Sequence, residues 1–152
     1  MLAFENQITI DREVGEVYDV ATDLTSIPKW NYFVRQVTLT SGRPGEVGST
    51  YHQVRKDDEQ ELRIVRREPD RVFTVETIRS TGPELRREMI FGEADGSTEL
   101  VDRWQLDLGV PALLEPLAAG RVKSAVRANL DKLKTLLETG SVTLQDGRSF
   151  AL

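Results

Sequence analysis

Apolar positions change their spacing several times along the chain, and each change predicts a different element. Between Phe4 and Asp11 the residues Phe4, Ile8 and Ile10 fall on alternate positions, the period of a half-buried strand. Asp11 is placed to cap a following helix, in which Val14, Val17, Tyr18, Ala21 and Leu24 recur at three- and four-residue spacing. Pro28 limits the continuation of that helix. The surrounding stretch TSIPKWNYFV then gathers Ile27, Trp30, Tyr32, Phe33 and Val34 into a short connection. Connections normally run over the surface and are polar, so this one either plugs a core or walls a pocket.

From Val34 to Leu108 the period shortens again. β-rich runs are separated by turn chemistry at Gly42-Arg43-Pro44-Gly45, Lys56-Asp57-Asp58-Glu59, Glu68-Pro69-Asp70, Ser80-Thr81-Gly82-Pro83 and Asp95-Gly96. The pattern predicts about six successive strands joined by hairpins, hence an antiparallel sheet. Val110-Pro111 ends it. A long helix is expected from Ala112 or Glu115 to Glu138, with Gly140 as its C-cap. Leu114, Ala118, Val122, Ala125, Val126, Leu133, Leu136 and Leu137 form its apolar stripe, and Lys123, Arg127, Asp131, Lys134 and Glu138 lie opposite. One polar residue, Asn129, stands in the middle of the stripe. The last segment, SVTLQDGRSFAL, reads as a tail or a small hairpin around Asp146-Gly147.

Facing residues in an antiparallel pair have position numbers of constant sum, so a turn fixes which side chains share a face. With Asp95-Gly96 as a two-residue turn, Phe91 opposes Leu100, Met89 opposes Asp102, Arg87 opposes Trp104 and Leu85 opposes Leu106. With Pro69-Asp70 as a turn, Ile64 opposes Val75, Leu62 opposes Thr77 and Arg66 opposes Phe73, while Arg63 and Glu76 pair on the other face. A three-residue loop at Thr81-Gly82-Pro83 would set Phe73 by Phe91, Val75 by Met89 and Thr77 by Arg87. The inward face is then apolar apart from Thr77, Arg87 and Asp102, with Asn129 added from the helix. Arg87 and Asp102 are diagonal neighbours, close enough to pair. The turn around Asp57-Asp58 leaves open whether His52 and Val54, or Tyr51 and Gln53, point inward.

Composition narrows the chemistry. The 152 residues suit one domain with one core. No cysteine is present, which excludes disulfides, a thiol nucleophile and cysteine-based metal sites, and a single histidine, His52, argues against a multi-histidine centre. No metal or cofactor is expected. The net charge of −5 offers no general attraction to nucleic acid. No secretion signal or membrane-spanning run is visible, so no stable membrane insertion is expected and a cytoplasmic location is. The glycine-rich segment Gly42–Gly48 lacks the Gly-Lys-Ser/Thr of a phosphate cradle. The arginines between Arg55 and Arg87 interleave with acidic residues and read as a solvated outer face.

Strand, two short helices, six antiparallel strands and a long C-terminal helix is the element order of the helix-grip fold, in the α+β class. With the local marks ATDLTSIPKWNYFVRQVTL, EVGSTYHQV, IVRREPDRVFTVE and GSTELVDRWQLDL, the chain resembles the START-related SRPBCC superfamily, in its polyketide cyclase/dehydrase and lipid-transport group. The resemblance spans roughly residues 3–139, so residues 1–139 are read as one ligand-binding domain and 140–152 as a tail or small hairpin. It implies a curved sheet of about seven strands wrapped around the long helix, with an apolar cavity between them. Members of this superfamily include carriers, receptors, cyclases, dehydratases and chaperone activators, so the fold does not fix the function.

Trp30, Phe33, Phe73, Thr77, Arg87, Met89, Phe91, Asp102, Trp104, Val126 and Asn129 are accordingly the expected ligand-binding residues. Arg87 and Asp102 form either a structural ion pair or a polar anchor for a carbonyl, carboxylate or phenol. Arg87, Asp102 and His52 are the candidate catalytic groups. The first functional reading is a carrier or sequestering protein for a small hydrophobic molecule. The second is an enzyme of cyclase/aromatase or dehydratase type, and the third a chaperone-activator-like interaction module.

Overall fold

The computed structural model describes residues 1–152. Strand β1 (Leu2–Ile10) leads into helix α1 (Val14–Thr22) and a short 3₁₀ helix (Leu24–Lys29). Six strands follow: β2 (Val34–Ser41), β3 (Thr50–Arg55), β4 (Glu59–Glu68), β5 (Val72–Ser80), β6 (Glu84–Ala94) and β7 (Ser97–Asp107). Helix α2 (Glu115–Thr139) and a hairpin of β8 (Ser141–Thr143) and β9 (Ser149–Ala151) complete the chain. The seven long strands form one antiparallel sheet in the order β1-β7-β6-β5-β4-β3-β2. This is the helix-grip architecture, with the sheet curved around α2.

Two local expectations fail near the start. Asp11 does not cap α1: Glu13, two residues further on, holds the N-cap position without a side-chain bond, while Asp11 donates its backbone N–H to Glu138 of α2 at 2.7 Å and its carboxylate accepts from the Ser97 hydroxyl. The helix also stops before Leu24. Asp23 starts a separate 3₁₀ turn by accepting from Thr25 N–H at 3.2 Å and from the Ser26 hydroxyl at 2.6 Å.

The β6–β7 register follows from its turn. Asp95 and Gly96 both have positive φ, 50° and 82°, as a type I′ turn requires, and every pair expected across it forms: Phe91 with Leu100, Met89 with Asp102, Arg87 with Trp104 and Leu85 with Leu106. Across β4 and β5, Ile64 faces Val75, Leu62 faces Thr77 and Arg63 faces Glu76, but a shift beyond Ile64 puts Arg66 opposite Thr74 rather than Phe73. The β5–β6 pairing departs further. Phe73 faces Met89 and Val75 faces Arg87, two residues away from the expected register. At the end of this pairing the Thr77 hydroxyl accepts from Leu85 N–H at 2.9 Å where a backbone carbonyl would otherwise stand. The regular ladder therefore ends at Glu76 and Arg86. Because the shift is two residues, the inward face keeps its members.

The outward faces of these strands carry the interleaved charges. Arg63 and Arg86 both reach Glu76, Arg79 reaches Glu61, and Arg103 reaches Glu5. These exposed cross-strand pairs contribute little each.

Helix α2 buries Val126, Leu130, Leu133, Leu136 and Leu137 in the main core, each apolar side chain contributing roughly 1.5–3 kcal/mol. Leu130 belongs to the stripe although the apolar spacing above omits it. Leu114 does not: the stripe begins later, and Leu113, Leu114 and Leu117 are all exposed. Gly140 ends the helix at φ 86° with its N–H on Leu136. The hairpin after it packs into the same core through Val142 and Leu144. It also ties down the 30–35 connection, with Arg148 donating to Tyr32 C=O at 3.3 Å and Arg35 pairing with Asp146 at 3.2 Å.

The polar face of α2 runs beside β1. Its Glu138 carboxyl is held below the usual carboxylate range, first by the Asp11 backbone N–H and then by Lys134. A carboxylate depressed on folding stabilises above its unfolded pKa, near 4, and the contribution is lost as pH falls through the lower folded value. The acid limb of the thermal stability profile is therefore expected to flatten in Glu138→Gln. An unchanged melting temperature difference between about pH 6 and pH 3 would show that this contact does not link folding to protonation.

Candidate functional site

The core does not fill the space between sheet and helix. A cavity of about 250 Å³ lies between the concave face of β3–β7 and the first half of α2. Strand residues Leu62, Phe73, Val75, Leu85, Met89, Trp104 and Leu106 form one wall, and Val122, Ala125, Val126 and Asn129 form the other. Leu24, Ile27 and Phe33 close one end. Arg121, which is exposed, and half-buried Arg55, Pro83 and Leu108 mark where the lining reaches solvent.

Arg87 is the charged group of the interior, and three aromatic or acidic neighbours fix it. Its Nε donates to Asp102 Oδ1 at 2.8 Å and its Nη2 to Oδ2 at 2.7 Å, the two-pronged geometry that arginine makes with carboxylates. Trp104 Nε1 donates to the same Oδ2 at 2.9 Å. The guanidinium carbon lies 4.9 Å from the Trp104 ring and 5.6 Å from the Trp30 ring, so both indoles also flank the cation. Asp102 is fully buried and both its oxygens are used. Nη1 of Arg87 has no hydrogen-bond partner in the protein, and Arg87 lines the cavity. The charge is thus matched while one donor edge stays free.

Seven of the expected ligand-binding residues line the cavity: Phe33, Phe73, Arg87, Met89, Trp104, Val126 and Asn129. Four stand behind its wall. Asp102 is shielded by the Arg87 and Trp104 bonds just described. Thr77 spends its hydroxyl on Leu85. Phe91 packs edge-on against Tyr18, with ring centroids 4.9 Å apart; Tyr18 donates to Val72 C=O at 3.0 Å, and burial raises its phenol pKa. Trp30 is fully buried and lies outside the cavity lining. The connection TSIPKWNYFV therefore does both things. Trp30 plugs the core behind Arg87, and Ile27, Phe33 and Val34 wall the cavity.

His52 points away from the cavity. The turn Arg55–Asp58, closed by Arg55 N–H to Asp58 C=O at 2.9 Å, puts Tyr51 and Gln53 inward. His52 sits on the other face beside Glu59 at 3.4 Å, which removes it from any chemistry inside. The same register brings in residues that the sequence reading missed. Gln53 and Gln60 face each other across the hairpin, and Gln53 Nε2 donates to Gln60 Oε1 at 2.9 Å. Both line the cavity, as does Asn31. Parity at the Asp57-Asp58 turn was the signal, had the length of that turn been legible.

Asn129 is the remaining polar group. It is 4% exposed, and its Oδ1 is buried with no hydrogen-bond partner. The lining contains no serine, threonine, tyrosine, histidine, aspartate or glutamate. Within the cavity the protein offers hydrogen bonds and an apolar surface, not a nucleophile or a proton-accepting side chain.

A curved sheet gripping a long helix around an apolar cavity defines the helix-grip class. The sequence model described as polyketide cyclase/dehydrase and lipid transport matches residues 1–138, and the chain belongs to that family. No curated protein matches it. Among solved structures it is similar to a START superfamily protein from Mycobacterium smegmatis, at 11% identity and TM-score 0.75 over 90% of this chain and 97% of that one. TTHA0849 from Thermus thermophilus superposes at 14% identity and TM-score 0.73, covering 90% and 97% of the two chains. Ara h 8.0201 does so at 14% identity and TM-score 0.72, covering 91% and 98%. At these identities the likeness concerns the fold. No helix of the chain is long and apolar enough to cross a membrane.

Proposed function

We propose that this protein binds a compact hydrophobic metabolite in the sheet–helix cavity, as a carrier or sequestering protein. The observation that carries this reading is the cavity itself, a preformed apolar space of about 250 Å³. Its size restricts the occupant. It lies just below the usual range of small-molecule sites and equals about eight waters at liquid density. That suits a bicyclic ring system or a short acyl chain and leaves little room for a two-chain lipid. An interaction module would have packed this space with side chains.

A second reading, a cyclase or dehydratase, draws on Arg87 alone. Its free Nη1 is suited to polarising a substrate carbonyl, and the cavity walls would fold the chain. Proton transfer would then fall to water or to the substrate, since the lining supplies no base.

Native mass spectrometry of protein purified from its own host, followed by denaturation and analysis of what is released, tests the proposal. A small apolar metabolite at near-stoichiometric yield is expected. In Ala125→Trp, whose indole would project into the cavity, that yield should fall at least tenfold while the fold is kept. An apo mass, with no binding of small bicyclic probes by calorimetry, would remove the carrier reading.

A further inference from the structure

We infer that the cavity selects an uncharged ligand with two acceptor oxygens, a compact dicarbonyl such as a fused-ring diketone or quinone, with Arg87 Nη1 reading one oxygen and Asn129 Nδ2 the other. This inference rests on the binding reading above and gives it a chemical class. It starts from the cavity atoms that no protein group satisfies. Asn129 lies on α2 within the run Val126, Leu130 and Leu133, where an apolar residue would complete the core at no electrostatic cost. Its two polar atoms differ. Oδ1 is sealed inside the wall, whereas Nδ2 stays accessible in a residue that is 4% exposed and lines the cavity, so the surface Nδ2 keeps faces the cavity. An amide turned the other way would seal two N–H donors instead of one acceptor, at greater cost. The free end of Asn129 is thus a donor in need of an acceptor.

The opposite wall repeats the pattern. Arg87 Nη1 is likewise accessible and unbonded. The two bonds to Asp102 hold the guanidinium back against β7, so Nη1 meets an occupant from the sheet side and Nδ2 of Asn129 meets it from the helix side. Buried donors left unpaired are costly, and two of them on facing walls call for two acceptors in the ligand. The other free amide atoms of the lining are one of each kind, Asn31 Nδ2 and Gln53 Oε1, and favour neither donors nor acceptors. Charge narrows the class further. Asp102 already cancels Arg87 at 2.7–2.8 Å, so a ligand carboxylate would add a second anion beside a neutral pair, at a heavy desolvation cost. Carbonyl oxygens accept the same hydrogen bonds without that penalty. The unpaired cation of the lining is Arg121, two helical turns from Asn129, about 12 Å along the axis, where the cavity reaches solvent. An acidic ligand would therefore be held head-outward and would leave Asn129 unmatched. The chain has no cysteine and no lysine lines the cavity, so no thiol or amine stands there to add to an electrophilic ring.

Calorimetry tests this with naphthoquinone (two acceptors), tetralone (one acceptor), hydroxytetralone (an acceptor and a donor) and octanoate (an anion). Naphthoquinone should bind about tenfold more tightly than tetralone, the worth of one further hydrogen bond. In Asn129→Leu that advantage should vanish while tetralone binding persists. Equal affinities in the parent, or an advantage that survives Asn129→Leu, overturn the inference and leave the cavity reading standing. Tighter binding of hydroxytetralone or of octanoate than of naphthoquinone does the same. Failure of every probe to bind the parent protein overturns the cavity reading and this one with it. A second readout needs no variant: in the NMR spectrum of the parent, naphthoquinone should move both the side-chain amide signals of Asn129 and the guanidinium signals of Arg87. Asn129 signals that stay in place with the probe bound would remove its role.

Discussion

Asp102→Ala should lower the free energy of unfolding by about 3–5 kcal/mol, because it strands a buried guanidinium without its counter-charge. Asp102 is fully buried, and three donated hydrogen bonds converge on it from Arg87 and Trp104. Urea denaturation of the parent and variant measures the difference. The paired replacement of Arg87 by Met and Asp102 by Leu should recover most of the loss, since removing both charges removes the desolvation cost along with the attraction. A loss below about 1 kcal/mol for Asp102→Ala would place the pair among solvated surface ion pairs. The double replacement has a second use. If it folds well but loses discrimination for carbonyl probes, the ion pair serves recognition rather than stability.

Trp30→Ala should cost about 3–5 kcal/mol, the range for deleting a large buried aromatic. Its ring is fully buried and covers the Arg87 guanidinium at 5.6 Å. Phe33→Ala, three residues on, should behave differently. Phe33 is half-buried and lines the cavity, so its loss should weaken hydrophobic probes while leaving denaturation nearly unchanged. Equal stability losses at both positions would mean that the connection acts as one plug.

The two residues also show how far sequence patterning reaches. Apolar spacing placed the elements, and the Asp95-Gly96 turn fixed a whole hairpin, because a two-residue type I′ turn permits one register. That hairpin contains Arg87 and Asp102, so the central ion pair was readable from spacing alone. Where a loop length had to be assumed, parity arithmetic lost its footing: the β5–β6 pairing lies two residues from the register that a three-residue Thr81-Gly82-Pro83 loop would set, and nothing in the spacing signals it. Gln53 and Gln60 escaped for a related reason, since the length of the turn at Asp57-Asp58 was left open and with it the direction of His52. Trp30 and Phe33 could not be told apart by pattern, because a 3₁₀ turn and its exit loop send neighbouring side chains in directions that no simple period describes. Asn129 was legible as the lone polar residue in an apolar stripe, although its lack of a partner was not.

The long helix has one more effect, on the margin of the sheet. Strand β1 is an edge, and the carbonyls it turns away from β7 would invite pairing with a strand from another molecule. Instead, Arg127 donates to Gln7 C=O at 2.7 Å, Lys134 donates to Thr9 C=O, and Asn6 reaches back to Lys123 C=O at 3.2 Å. The opposite edge, β2, is broken by irregularities around Arg35 and Thr40 that interrupt a flat template. The two borders of the sheet thus differ in how they meet solvent: a basic helix face is laid along one, and the other is bent at two points, so a strand from another molecule would find neither edge a long regular template.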